Sequence, residues 1–314
     1  MQTYIRKMAS IQLIEEVRAI PDADKICSYR ILDGWWVVDQ VGKYQVGDKV
    51  VYAEPDSWIP TTIAPFLSKG KEPRVYNGVA GEKLRTIRLR KQISQGLILP
   101  LEPTCEMIES ELMVGLDVSY PLGIQKWEAP PDFICADAKG KFPSFIFKTD
   151  QERIQNCYRN VEQEFDGTFE LSEKLEGTSV TVYFNNDEFG TCSRNLDLRE
   201  DDQNTYWKQV VANDLKTKLT TLGRNIAIQG EIIGSSICGN IYGMTDQRMY
   251  VFDIFDIDTQ TYLEPSDRRT LTKQLGLIDV PVLAENYSLK GMSCQNILEF
   301  ADGHSVLGFT NNLR

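Results

Sequence analysis

The first hundred residues hold about six short apolar or alternating runs, cut apart by turn formers and with little helical periodicity. Met8 to Val17 and Cys27 to Leu32 are apolar runs joined through Ile20-Pro21-Asp22-Ala23-Asp24, a turn-rich stretch. Trp35-Trp36-Val37-Val38 and Val50-Val51-Tyr52-Ala53 follow, divided by Val46-Gly47-Asp48-Lys49. Leu84-Arg85-Thr86-Ile87-Arg88-Leu89-Arg90 alternates with period two and reads as one strand, and Gly96 to Pro100 closes the set. Strand, Gly-Asp turn, strand is the grammar of small barrels, so an antiparallel barrel is expected here.

The span from Glu128-Ala129-Pro130-Pro131 through Lys139-Gly140-Lys141-Phe142-Pro143 is rich in breakers and reads as a linker, which divides the chain into 1–140 and 141–314. Beyond it the pattern changes. Asp150 to Tyr158 reads as a helix capped by Asp150, and Asn204 to Leu222 as one longer helix. Its apolar face would be Trp207, Val210, Val211, Leu215, Leu219 and Leu222. Strands are expected at 168–174, 178–184, 226–233 and 249–255, which makes the second domain α+β. No internal repeat or low-complexity tract is visible.

At 314 residues the chain is long enough for two cores, and 42% hydrophobic with 25% charged residues is a soluble composition. No run approaches 18 apolar residues, so no membrane span is expected, and the start lacks the apolar core of a signal peptide. Seven scattered cysteines without a CxxC pair, and His304 as the sole histidine, argue against zinc and for reduced thiols in the cytoplasm. The net charge of −11 excludes a histone-like nucleic-acid binder. It does not exclude a local basic groove, because residues 1–150 carry 19 basic and 20 acidic side chains and the acid excess lies beyond them.

The segment that carries chemistry is Glu173-Lys174-Leu175-Glu176-Gly177-Thr178-Ser179, a lysine at the corner of a strand pair. Taken alone, Lys-x-x-Gly is a common match and reads as a solvated corner. Three later segments are spaced to serve it: Ser193-Arg194-Asn195, Gln229-Gly230-Glu231-Ile232-Ile233-Gly234, and Tyr250-Val251-Phe252-Asp253-Ile254-Phe255. To attack an α-phosphate the lysine amine must be neutral, which a neighbouring cation such as Arg194 or a metal favours. Glu176 suits a ribose hydroxyl or metal-bound water, and Gly177 permits close backbone approach. Glu231 stands in the middle of an apolar strand, where an acid is costly unless paired or metal-bound. The outward face of an edge strand is the plainer alternative. Judged alone, Phe252 and Phe255 belong more often to a core than to a base-stacking platform.

These four segments, in this order, resemble the covalent nucleotidyltransferase superfamily of ATP-dependent ligases and RNA capping enzymes. Lys174-Leu175-Glu176-Gly177 resembles its nucleophile motif, with Glu176 where the family usually has Asp. Ser193-Arg194-Asn195 resembles the motif that holds ribose and phosphates, Gly230-Glu231 the metal-associated glutamate motif, and Tyr250 to Phe255 the adenine-stacking strand. A barrel first, then Phe142-Pro143-Ser144-Phe145-Ile146-Phe147-Lys148-Thr149-Asp150-Gln151-Glu152-Arg153-Ile154-Gln155-Asn156, then the lysine motif, is similar to RNA ligases with an amino-terminal OB domain. Their type members come from Deinococcus and Naegleria.

The resemblance implies an all-β OB-like barrel followed by an α+β nucleotidyltransferase (ATP-grasp-like adenylation) domain, and an ATP-dependent RNA ligase acting in RNA repair. Lys174 would be the nucleophile. Glu173, Leu175, Glu176, Arg194, Glu231 and Phe252 would bind ATP, and Glu231 would also serve Mg²⁺ or Mn²⁺. Arg85, Arg88 and Arg90 would contact RNA, with Arg88 and Arg90 on one strand face. The implied partner is RNA with 3′-OH and 5′-phosphate ends, most simply a nicked duplex bound by a monomer. The family continues with a Glu-Gly-x-Val strand and a Lys-x-Lys strand that have no counterpart after Asp302-Gly303-His304, so a sequence cut short at Asn311-Asn312-Leu313-Arg314, and inactive or nearly so in the first chemical step, is expected. The competing readings are a non-catalytic RNA-binding protein or inactive ligase fragment, and a DNA nick-sealing enzyme.

Overall fold

The computed structural model describes residues 7–32, 34–104, 108, 111–128, 137–149 and 151–308. Contacts divide the chain into two compact units: Met1–Ala129 with Glu152–Asn160 and Ser293–Leu298, and Pro130–Gln151 with Val161–Met292 and Glu299–Arg314.

The first unit is built of short strands: β1 (Ala9–Leu13), β2 (Glu16–Ile20), β3 (Ala23–Ile31), β4 (Trp35–Gln40), β5 (Lys49–Ala53), β6 (Ser57–Pro60), β7 (Arg74–Tyr76), β8 (Val79–Lys83), β9 (Ile87–Leu89), β10 (Gln92–Ser94), β11 (Leu97–Pro100) and β12 (Gln125–Lys126). β5 pairs antiparallel with both β1 and β11, while β2, β3 and β4 form a meander. The uninterrupted apolar run of β5 has a reason: both of its faces are buried. Val51 and Ala53 join a core with Ala9, Ile11, Ile59 and Leu99; Val50 and Tyr52 join another with Ile14, Tyr29, Trp35 and Ile98.

The expected strand from Leu84 to Arg90 is a different object. Leu84 is buried, the chain re-enters a strand only at Ile87–Leu89, and Arg90 and Lys91 turn at positive φ (49° and 68°) into β10. Arg88 lies on β9 and Arg90 at the hairpin tip, so the two do not share a strand face. The Met8–Val17 run likewise divides between β1 and β2.

The second unit is α+β. Its strands are β13 (Ala138–Lys141), β14 (Thr168–Ser172), β15 (Thr178–Asn185), β16 (Glu188–Cys192), β17 (Leu196–Leu198), β18 (Ile226–Gly234), β19 (Gln247–Asp256), β20 (Thr261–Tyr262), β21 (Ile278–Asp279) and β22 (Val282–Ser288). The main sheet runs β13-β17-β16-β15-β18-β19-β20, with β21 alongside β19; β14 and β22 pair separately. Even-numbered residues of β18 (Ile226, Ile228, Ile232) face a core with Val180, Val182, Trp207, Val210, Leu215 and Leu219 from the strands and helices beside it. The odd-numbered residues, Glu231 among them, face the other way.

The single helix expected over Asn204–Leu222 is two: Thr205–Ala212, whose Asn204 cap accepts from the Tyr206 N–H, and Leu215–Leu222. Asp214 breaks the run in the left-handed region (φ 51°), and the resulting change of direction leaves Val211 70% exposed, outside the apolar face assigned to it. The earlier helix runs Ile154–Val161; its expected cap Asp150, half of the expected linker (129–136) and the chain end from 309 lie outside the described residues. No helix among the described residues is long and apolar enough to cross a membrane.

Candidate active site

The turn that carries Lys174 is held on three sides. β14 ends at Ser172, and Lys174 stands two residues further on, exposed. The Glu173 N–H donates to the Pro281 carbonyl at 2.9 Å, while the Glu173 carboxylate accepts from the Val306 N–H at 3.1 Å. Leu175 turns inward, 3% exposed, into a cluster of Ile233, Tyr242, Tyr250 and Val280. The Glu176 N–H donates to the Tyr242 hydroxyl at 2.8 Å. Gly177 then passes so close to β18 that a Cβ would collide with the Ile232 carbonyl and lie 2.7 Å from the Ile233 side chain. Apolar Leu175 thus anchors the turn, and the charged residues on either side of it stay at the surface.

Glu231 lies on an inner strand, opposite Ser179 of β15 and Tyr250 of β19, which rules out the edge-strand reading. Burial pushes its carboxyl up to about 6, while the charges of Lys174 and Arg194 and a hydrogen bond from the Gly177 backbone draw it down; Glu176 adds repulsion. Lys174, Glu176 and Arg194, from two separate places in the chain, therefore lie within electrostatic reach of the Glu231 carboxylate in a third. Arg194 is exposed on the tight turn between β16 and β17, closed by Ser193 N–H to Leu196 carbonyl at 2.9 Å.

β19 supplies the next wall through a bulge. Gln229 pairs with Asp253 but Gly230 pairs with Val251, so Phe252 is the extra residue. Val251 and Ile254 stay with the helix-side core, whereas Phe252 packs, partly exposed, against the cluster of Leu175 and Tyr250. Phe255 is fully buried with Tyr183 and Ala227, a core residue rather than a platform.

Side chains with no motif to announce them complete the face. The segment Phe145–Gln151 lies across it, tied at alternate residues: Gln260 donates to the Phe145 carbonyl (3.2 Å), Gln229 to the Phe147 carbonyl (2.7 Å), Thr149 and Ser179 share a hydrogen bond (3.0 Å), and Gln151 donates to Asp253 (3.2 Å). Lys148 reaches Asn195 at 3.3 Å. The alternation of anchor residues from 145 to 151 was the available sequence signal. Tyr242 and Cys238, whose thiol donates to the Gly177 carbonyl at 3.1 Å, follow β18 on an irregular turn and left no pattern to read. Arg85, Arg88 and Arg90 are exposed in the first unit.

Among the described residues no group of three or more His, Cys, Asp or Glu side chains is arranged to hold a metal by itself. The donors present are the carboxylates of Glu176 and Glu231, which repel one another. Hard oxygen donors in ones and twos fit Mg²⁺ or Mn²⁺, which take the remaining positions from water and phosphate oxygens.

An all-β module ahead of an α+β sheet, with a lysine turn facing a half-buried glutamate and an aromatic bulge, is the layout of a covalent nucleotidyltransferase. Residues 167–308 match the family model described as RNA ligase, and residues 8–101 match one described as an OB-fold domain. Among solved structures, an apo mutant of Naegleria gruberi RNA ligase is 40% identical, with a TM-score of 0.77, over 97% of this chain and 90% of that one. A mutant of the same ligase with ATP and Mn is 40% identical, with a TM-score of 0.74, over 93% and 88%. The form with PPi is 41% identical, with a TM-score of 0.75, over 96% and 90%. No curated protein matches the chain. The chain belongs to the RNA ligase family.

Proposed function

We propose that this ATP-dependent RNA ligase works through Lys174, whose amine attacks the α-phosphate of ATP. The N–P bond forms as the bond to pyrophosphate breaks, and the amine loses a proton, leaving a lysyl-AMP. The AMP passes to an RNA 5′-phosphate, and a 3′-hydroxyl then displaces it to seal the strand. The observation that carries this reading is the convergence of Lys174, Glu176 and Arg194 on the half-buried Glu231 carboxylate.

Each residue has work suited to its place. The positive charge of Arg194 favours a neutral lysine and binds phosphate or ribose. Glu176 binds a ribose hydroxyl or metal-bound water, and Glu173 and Leu175 fix the turn on which the amine stands. Phe252 stacks on adenine from its bulge. Glu231 and Glu176 would hold Mg²⁺ or Mn²⁺, which when bound offsets phosphate charge. Arg85, Arg88 and Arg90 contact the RNA from the barrel, in the division 1–140 and 141–314. The substrate proposed is RNA with 3′-OH and 5′-phosphate ends, met as a nicked duplex by a monomer in the cytoplasm during RNA repair.

The test is covalent labelling. Lys174→Ala and Lys174→Arg should take up no AMP from labelled ATP while melting like the parent, because the side chain is exposed and a guanidinium is not a usable nucleophile near neutral pH. Labelling that survives either substitution would move the chemistry to another residue. A panel of RNA and DNA nicks offered to the parent protein then decides the strand preference.

A further inference from the structure

Arg268 is a buried charge with three hydrogen bonds, and no part of the proposed chemistry uses it. It lies in the helix Pro265–Gln274 and is 5% exposed. Its Nη1 donates to the Phe252 carbonyl at 3.1 Å, its Nη2 to Glu170 at 2.7 Å and its Nε to Asp279 at 3.1 Å. Three faces of one planar guanidinium thus meet three different elements. Glu170 belongs to β14, four residues ahead of Lys174 on the strand that delivers it. Asp279 belongs to β21, beside Val251 in register and two residues ahead of Pro281, whose carbonyl accepts the Glu173 N–H. The Phe252 carbonyl is the bulge itself, where the sheet's own ladder skips a residue.

A bulged residue is left without its ladder partner and owes its orientation to whatever else holds it. Here the holder also grips the strand of the nucleophile. Glu170 is in turn paired with Arg269, which reaches Glu285 at 3.0 Å, so the buried carboxylate is compensated from a second side. Only a guanidinium presents donors in a rigid fork to three acceptors at once; an ammonium in the same place keeps the charge and loses the geometry.

We propose that Arg268 is a positioning residue that sets the distance and tilt of the Phe252 platform relative to Lys174, and so governs how the enzyme holds the nucleotide base. This rests on the reading of Phe252 as the base platform. The coupling runs through the guanidinium: to the bulge's backbone carbonyl on one side, and to the Glu170 carboxylate on the Lys174 strand on the other. A loose platform weakens ATP binding more than it slows attack once ATP is bound.

The experiment is single-turnover lysyl-AMP formation across ATP concentrations for Arg268→Lys, Phe252→Leu and the double variant, with melting temperatures in parallel. Arg268→Lys should raise the apparent KM for ATP about tenfold, the loss expected of one charge-assisted hydrogen bond, while the saturated rate falls less than about threefold. In the Phe252→Leu background the same substitution should add under about twofold, because its target is gone. An unchanged KM in folded Arg268→Lys, a fall confined to the saturated rate, or full additivity with Phe252→Leu each overturns the proposal. If Phe252→Leu raises KM and Arg268→Lys does not, the platform stands and Arg268 is structural only. If Phe252→Leu has no effect, the platform reading itself fails. Should Arg268→Lys not fold, Asp279→Asn loosens the same fork without stranding a charge and should raise KM about threefold; no change in that variant also overturns the idea.

Discussion

The backbone N–H of Glu176 donates to the hydroxyl of Tyr242, 66 residues further along the chain, at 2.8 Å. The turn bearing the proposed nucleophile is therefore shaped by a phenol from beyond β18. Tyr242→Phe removes one oxygen and leaves that N–H, at the exposed Glu176, to water instead, at a cost of about 0.5–1.5 kcal/mol. Lysyl-AMP formation should slow roughly tenfold with little change in melting, since the ring still fills its place beside Leu175. An unchanged single-turnover rate would show that the turn holds itself.

Gly177 is a sharper test of the same geometry. Its φ is not positive, so the requirement is space alone: a Cβ would meet the Ile232 carbonyl. Gly177→Ala must push the turn off β18. A displacement of about 1 Å at a reacting group can cost on the order of 10²-fold in rate, so labelling should fall by that much. Labelling within about threefold of the parent would mean that the strand gives way instead.

Asp253 predicts a pH dependence of stability. Burial pushes its carboxyl up to about 6, with Arg268 and the Gln151 amide pulling the other way. A folded-state value above the unfolded one means the protonated form fits the fold better. The associated stability is fully present below the unfolded value and is lost as pH rises through about 6. Asp253→Asn mimics the protonated form, so it should melt above the parent at pH 8, with the gap shrinking toward pH 5. A gap independent of pH across that range would assign the effect to something other than ionisation.

For RNA, neutralising Arg85, Arg88 and Arg90 together should weaken binding and flatten its dependence on salt. Each phosphate contact removed takes roughly one unit from the slope of log affinity against log salt. The three are exposed on and beside a short hairpin, so the fold should tolerate the change. Titrations at several salt concentrations give the slope directly; a parallel line would place the RNA elsewhere.

How much could be read in advance depended on whether a pattern had a period. β15, β18 and β19 were found because apolar residues alternate or run continuously where strands are half or wholly buried. Lys174, Arg194 and Glu231 could be proposed together from sequence because short motifs keep their order along a chain, and the fold brings their charges within reach of one another. The break at Asn213-Asp214 was not legible, because apolar residues keep helical spacing across it and Val211 fits the stripe it does not join. Arg85 to Arg90 looked like one alternating strand, yet Arg90 and Lys91 turn through positive φ, a conformation their side chains do not advertise. Arg268 and Glu170 could not be found at all. Two charges that neutralise each other in the interior look, in sequence, like two charges on the surface.

The bulge at Phe252 makes the parity of a strand part of what the chain encodes. Upstream of it odd residues of β19 point to the helix-side core; downstream, the even residue Ile254 does. Deleting Phe252 would restore simple alternation with Val251 and Ile254 still facing the core, and the strand would lose the bulge carbonyl that Arg268 holds. Substitutions in this strand can be graded by size and charge, but its length admits no such gradation. In this family, gaps and insertions should therefore fall in the turns on either side of β19, and the count of residues through the bulge should be the quantity that does not drift.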